Sequence, residues 1–157
     1  MIGNVMETTM IILKPDAVQR SLVGRIISRF EDKGLKIVAA KLMQIDTALA
    51  EQHYQIHKGK LFFNTLVRYI ASGPVLVLAI SGHGVIEICR KMIGVTHGAE
   101  AELGTIRGDF SVSRTFNLIH ASDSPQTARQ ELALFFEPQH ILDYDRDVCR
   151  WVAGGGN

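Results

Sequence analysis

The chain has 157 residues, 46% of them apolar, which suffices for one compact core and leaves little room for a second domain. Its 17 basic and 16 acidic side chains leave a formal charge of +1, so neither nucleic acid nor an anionic membrane surface is expected as a partner. Cys89 and Cys149 have no metal-ligand spacing and imply no disulfide framework, and a reducing, cytoplasmic setting is expected.

Thr8 to Leu13 is a β-prone run closed by Pro15 and reads as a strand. Val23, Ile26, Ile27 and Phe30 recur at helical spacing, with Gly34 where a helix-ending glycine belongs. Leu35 to Met43 reads as a second strand, apolar enough to be buried on both faces. Asp46 or Thr47 caps a helix expected to reach about His57. Phe63, Leu66, Val67 and Ile70 mark another, ended by Gly73-Pro74. Val75 to Ile80 is a third strand, and this apolar run is far short of the ~20 residues a membrane span needs. Val85, Ile88, Cys89 and Met92 mark a helix stopped at Gly94.

Val95 to Asp109 shows no periodicity and is expected as a long loop, the kind of segment that often carries function. Val112 to Ile119 reads as a fourth strand. Ser124-Pro125 supplies an N-cap and a first helical position for a helix to about Phe136, stopped by Pro138. The segment 154–157 is expected to be a frayed tail. The order β-α-β-α-α-β-α-loop-β-α reduces to βαββαβ once the extra helices are set aside. The expectation is therefore an α+β, ferredoxin-like fold: a four-stranded antiparallel sheet with helices packed over it, extra helices and a long loop. One domain is expected over 1–157, with its core at about 7–152.

That fold hosts many functions, so activity must be read from side chains. No G-x-x-x-x-G-K-[ST] loop occurs, and Gly82-His83-Gly84 is not a dinucleotide fingerprint, so any phosphate would be held by side chains. His53 and His57, four apart, are too little to specify a metal site. His120 ends an apolar strand and, by spacing alone, reads as a structural histidine. Glu131 alters that reading. It falls inside the apolar stripe of Ala128, Leu132 and Phe135, and a carboxylate pointing inward needs a hydrogen-bond partner. His120 and Ser122 lie within reach of the helix that follows them. A carboxylate bonded to imidazole fixes its tautomer, which a nucleophilic histidine requires. Lys14, Arg90 and Arg107 together could form the local positive site a triphosphate needs.

The strings 14–20 (KPDAVQR), 104–110 (GTIRGDF) and 117–124 (NLIHASDS) resemble the signatures of nucleoside diphosphate kinases, in register from about Glu7 to Val152. The resemblance implies ping-pong transfer of a γ-phosphate from a nucleoside triphosphate, typically ATP, to a nucleoside diphosphate through phosphohistidine at His120. It implies that Glu131 and Ser122 orient His120, that Tyr54 stands near the transferred group, and that Lys14, Arg90, Arg107 and Thr96 hold phosphates. Asn117 and Lys14 would bind ribose, Phe62 would stack on the base, and Mg²⁺ would arrive on the phosphates without protein ligands. A hexamer or a tetramer is implied. The alternative is a non-catalytic nucleotide-binding regulatory module on the same fold. Retention of Lys14, Tyr54, Arg90, Thr96, Arg107, Asn117, His120, Ser122 and Glu131 argues against it. Three positions depart from the family pattern. Arg114-Thr115-Phe116 replaces a common Val-Gly-Arg, which points to altered base preference at Arg114. Ala121 replaces a glycine, which bears on local backbone geometry. Gly98 replaces a proline in the long loop, which bears on assembly.

Overall fold

The computed structural model describes residues 6–152. Four strands, β1 (Met6–Leu13), β2 (Lys36–Gln44), β3 (Pro74–His83) and β4 (Ile119–Ala121), form one sheet in the order β2-β3-β1-β4, with every pair antiparallel. This is the strand order of the expected ferredoxin-like fold. Strand alternation gives the sheet two buried faces. On one, Ile11, Leu13, Leu78 and Ile80 pack against α2 (Val23–Asp32) and α5 (Val85–Ile93) through Ile26, Phe30 and Cys89. On the other, Met10, Ile12, Val75 and Val77 meet α3 (Thr47–His53), α4 (Phe63–Ile70) and α7 (Pro125–Phe135) through Ala50, Val67, Ile70, Leu132 and Phe135. Each buried Val, Leu, Ile, Phe or Met among these contributes roughly 1.5–3 kcal/mol, far more than a solvent-screened ion pair such as Arg29–Asp109. Packing on the two faces therefore dominates.

The capping signals hold. Ser124 accepts from Thr127 N at 3.1 Å at the start of α7, and Asp46 accepts from Leu49 N at 2.8 Å at the start of α3. Gly34, at φ +86°, ends α2. Elsewhere the structure corrects the reading. Among the described residues β2 is an edge strand that ladders with β3 and takes one further backbone bond, from Leu142 N to Val38 O at 2.8 Å, and Leu42 on it is 68% exposed, not buried on both faces. A short helix α1 (Pro15–Gln19) follows β1 directly, because Pro15 starts a helix as readily as it stops a strand. α3 ends at His53 and a 3₁₀ turn spans Gln55–His57, so His53 and His57 do not share one regular helix.

The long loop contains a 3₁₀ turn (Gly98–Glu100) and a helix α6 (Ile106–Phe110), the latter capped by Thr105 Oγ1 accepting from Gly108 N at 3.0 Å. The fourth strand is three residues, not eight. Before it, Ser111 Oγ donates to Phe116 O at 2.9 Å, and Ser113 Oγ accepts from the N–H groups of Thr115 and Phe116 at 3.2 and 3.1 Å. Serine hydroxyls thus take the backbone bonds a strand would have used. A last helix, α8, spans Cys149–Val152. The tail at 154–157 lies outside the described residues. Among the described residues, no helix is long and apolar enough to cross a membrane.

Candidate active site

His120 sits in β4 opposite Ile12 of β1, so its side chain faces the layer of α3 and α7. Its Nε2 lies 2.8 Å from Glu131 Oε1, and the other carboxylate oxygen accepts from Ser122 Oγ at 2.6 Å. Ser122 is fully buried and its hydroxyl also accepts from Met10 N at 3.3 Å, which ties the carboxylate to the central strand. Burial alone would raise the Glu131 carboxyl. Hydrogen bonds from His120 and Ser122, with His53 nearby, outweigh it and hold the group below its ordinary value. A carboxylate only accepts, so the His120 proton belongs on Nε2 and the lone pair on Nδ1. With its side chain 25% exposed, the imidazole is reachable.

Just before β4 the backbone makes a tight turn. Ile119 N donates to Asn117 O at 2.8 Å across Leu118, which is held at φ +70°. This is a γ-turn of the strained hand, in a fully buried leucine. Asp16 on α1 braces it: one carboxylate oxygen accepts from Leu118 N at 3.1 Å, and the other accepts from the Tyr69 hydroxyl. Burial, and then the bond to Asp16, push the Tyr69 hydroxyl far above its ordinary range. The turn aims Asn117, whose Oδ1 accepts from Lys14 Nζ at 2.8 Å while Nδ2 donates to the carbonyls of Thr96 and Arg114 at 2.9 and 3.0 Å. Lys14 is buried at the end of β1. Desolvation, and then the neighbouring Arg107, bring its ammonium down from 10.5 to about 7, with Asp16 opposing them.

Arg107 on α6 is buried, with its guanidinium donating to the carbonyls of Asn117, Gly94 and Ile119 at 3.2, 3.1 and 2.7 Å. These bonds tie the long loop to β4 and leave one N–H on each terminal nitrogen for an anion. Burial and the nearby Arg90 lower Arg107 to about 10. Arg90, on α5, is exposed. Tyr54 is buried beside His53 and His57, and among the described residues its hydroxyl has no hydrogen-bond partner. Burial, and secondarily Glu131, raise it to about 12. Phe62 stands at the rim, 48% exposed, linked inward by His57 at 5.5 Å between ring centres and by His57 to Tyr54 at 6.3 Å. All nine singled-out polar residues and Phe62 thus gather at one end of β1 and β4, with Phe62, Arg90 and Thr96 exposed.

Sequence reasoning assigned no role to Asp16, Tyr69 or Leu118. Asp16 stands inside a motif, but only the turn it braces reveals why. The three departures acquire physical settings. Ala121 pairs with Ile11 in ordinary strand geometry with its methyl in the core. Gly98 N donates to Ser113 O at 3.0 Å, and a Cβ there would meet Ser111 O at 2.4 Å, so proline could neither bond nor fit in this conformation. Phe116 packs edge-on against Tyr69 at 5.2 Å.

The family model for nucleoside diphosphate kinase matches residues 7–141. A nucleoside diphosphate kinase of Roseiflexus sp. (strain RS-1) is 53% identical over 147 residues, covering 94% of this chain and 99% of that protein. The enzyme of Listeria welshimeri is 50% identical over 147 residues, covering 94% of this chain and 100% of that protein. The Halobacterium salinarum kinase, solved in complex with CDP, superposes with a TM-score of 0.92 at 43% identity, covering 94% of this chain and 99% of that one. The Borrelia burgdorferi kinase, solved as a transition-state mimic with vanadate and ADP, gives 0.88 at 37% identity, covering 93% and 96%. Family match, full-length relatives and fold converge: the chain belongs to the nucleoside diphosphate kinase family and is a phosphotransferase that moves a terminal phosphate from a nucleoside triphosphate to a nucleoside diphosphate.

Proposed function

We propose that His120 carries the phosphoryl group between the two nucleotides. One observation supports this above the rest: Glu131 bridges His120 Nε2 and Ser122 Oγ at 2.8 and 2.6 Å, which fixes the tautomer and leaves the Nδ1 lone pair free. That lone pair attacks the γ-phosphorus in line. The N–P bond forms, the bond to the β,γ-bridging oxygen breaks, and the electron pair leaves on the diphosphate. A terminal oxygen of a second diphosphate then attacks phosphorus, and the N–P electrons return to Nδ1. Glu131 stabilises the imidazolium that exists while phosphate is attached.

Charge in such a transfer spreads over the equatorial oxygens, so catalysis is positioning and electrostatics. Lys14, Arg90, Arg107 and Thr96 hold the phosphates, and the unpartnered Tyr54 hydroxyl donates to the transferred group. Asn117 and Lys14 take the ribose hydroxyls and Phe62 stacks on the base, a contact every base can make. A divalent cation, which we take to be Mg²⁺, neutralises the phosphate oxygens when bound. Mg²⁺ favours an octahedron of oxygens that Asp16 and Glu131, the carboxylates within the cluster, cannot supply, so these residues fit Mg²⁺ carried by the nucleotide rather than a protein cage.

Incubation with γ-labelled ATP and Mg²⁺, followed by removal of nucleotide, tests the mechanism. An acid-labile, base-stable label on the protein that moves to GDP and vanishes in His120→Ala is expected. Absence of label on folded protein would leave a nucleotide-binding module as the reading. Arg114, whose carbonyl receives Asn117 Nδ2, is proposed to bias base choice; Arg114→Val should change the ratio of purine to pyrimidine turnover, and unchanged ratios would sink the idea. The C-terminal segment bonds the outer edge of β2 at Ile37 and Val38, and the stretch beyond it, with Leu42 exposed, supports self-association as a hexamer or tetramer, which light scattering after gel filtration resolves. A cytoplasmic setting is supported by the unpaired, buried Cys89, and fractionation checks it.

A further inference from the structure

His53 closes α3 with its side chain 1% exposed, yet among the described residues neither ring nitrogen finds a hydrogen-bond partner. A buried imidazole in that state has lost the bonds water would give it, and such a group calls for an explanation. Its ring lies against Tyr54, His120 and Phe135 at centre distances of 4.6, 4.8 and 5.6 Å, contacts that satisfy packing but not the nitrogens. Nδ1 stands 3.8 Å from Glu131 Oε1, the same oxygen that accepts from His120 Nε2 at 2.8 Å. The donor atoms of His53, His120 and Glu131 all lie within 4.8 Å of one another, and His57 is not among them.

We infer that His53, His120 and Glu131 form an inhibitory binding site for a divalent transition metal, zinc foremost. Zinc takes imidazole nitrogen and carboxylate oxygen at ~2.0–2.2 Å, which sets tetrahedral ligand atoms roughly 3.3 Å apart. Side-chain adjustments of about an ångström seat the ion between these three groups. Among the described residues neither His53 nitrogen is engaged in a hydrogen bond, so its ring can offer a lone pair without breaking one. Mg²⁺ is no competitor here, because it favours an octahedron of oxygens.

The ion also has a way in. A cavity of about 530 Å³ lined by Gln52, His53, Gln55, Thr127, Gln130 and Glu131 reaches the carboxylate, and Lys14, Tyr54, Phe62, Arg90 and Asn117 do not line it. Inhibition follows from the tautomer. A metal on His120 Nε2 needs the lone pair there, so the single ring proton moves to Nδ1 and no net proton is released. The nucleophilic lone pair is then gone. This inhibitory half rests on His120 being the nucleophile, whereas the binding half does not.

Titration of the nucleotide-free protein with ZnCl₂ tests binding, and Co²⁺ replaces zinc for visible absorption. One equivalent is expected to bind, with a cobalt band that zinc abolishes. Nitrogen-15 imidazole spectra should report the His120 proton moving from Nε2 to Nδ1. His53→Gln should weaken zinc binding and inhibition at least ~10-fold, the scale at which a lost supporting interaction costs metal affinity. Inhibition should not be relieved by raising MgATP. Unchanged affinity in His53→Gln, or no binding without nucleotide, overturns the proposal. If His53→Gln does not fold, the wild-type imidazole spectrum decides alone, and an unmoved proton overturns the site. Zinc that binds with the cobalt signature but leaves phosphorylation intact overturns the inhibition. In that case the γ-labelled ATP experiment judges the role of His120 separately.

Discussion

At the scale of single residues, folding moves Glu131, Lys14, Tyr54 and Arg107 away from their ordinary ionisation. Glu131 is kept anionic by what it accepts, against the pull of burial. Glu131→Gln preserves shape but offers an amide that can present N–H to His120, leaving the tautomer uncontrolled. A fall in kcat of about 10²–10³ is expected, the scale of losing one aligned electrostatic group. Nucleotide affinity should hold, because the phosphate ligands are untouched; steady-state kinetics with a separate ADP titration checks both. Lys14 carries the opposite sign of argument. Desolvation, with Arg107 beside it, brings it to about 7, so free protein loses this charge as pH rises through neutrality. Bound phosphates favour the ammonium and raise its pKa. Nucleotide binding therefore takes up a proton above pH 7, and affinity falls by up to about tenfold per pH unit over the window between the free and bound values. Calorimetry in buffers of different ionisation heat measures the uptake, and its absence between pH 7 and 9 refutes the assignment. Of these two groups, Glu131 was legible in sequence as a carboxylate inside an apolar stripe. The perturbation of Lys14 was not, because it arises from burial in the folded chain and, after that, from Arg107, which only folding brings beside it.

At the scale of elements, the short motif between α6 and β4 matters more than its length suggests. Leu118 at φ +70° stores strain of about 1–3 kcal/mol, which the surroundings must hold. Asp16 does so from α1, and Tyr69 on α4 fixes Asp16. Asp16→Ala leaves the buried Leu118 N–H without a partner, and relaxation of the turn carries Asn117 away from Lys14. Nucleotide Kd should rise about tenfold, while kcat moves less, since Glu131 on α7, itself held by Ser122, fixes His120 independently of the turn. Tyr69→Phe should act in the same direction more weakly. A loss confined to kcat would contradict this division of labour. The longer helices α2, α3, α4, α5 and α7 were legible because caps and 3.6-residue periodicity are local signals. The γ-turn and the serine-bonded stretch before β4 were not, because β-prone residues in 112–118 were overridden by hydroxyls that took the backbone bonds. α1 escaped for a similar reason: five residues are too few to show a period.

At the scale of the whole molecule, the sheet with its two packed faces is a frame whose one end gathers side chains from β1, α3, α5, α6, β4 and α7. Binding at such a junction couples to global stability, because unfolding any of these elements releases the ligand. Nucleotide at a hundred times its Kd should stabilise the fold by about 2.7 kcal/mol. For a chain of this size each kcal/mol shifts Tm by roughly 2–4 °C, so ADP should raise Tm by roughly 5–10 °C. His120→Ala should keep that shift while losing phosphoryl transfer, because none of the proposed nucleotide ligands is removed. Lys14→Ala should lose most of it. Thermal scans of the three proteins with and without ADP therefore separate holding the nucleotide from reacting with it. If His120→Ala lost the shift along with the activity, the histidine would belong to the nucleotide's binding surface, and the division between a phosphate-holding set and a single reacting nitrogen would fail.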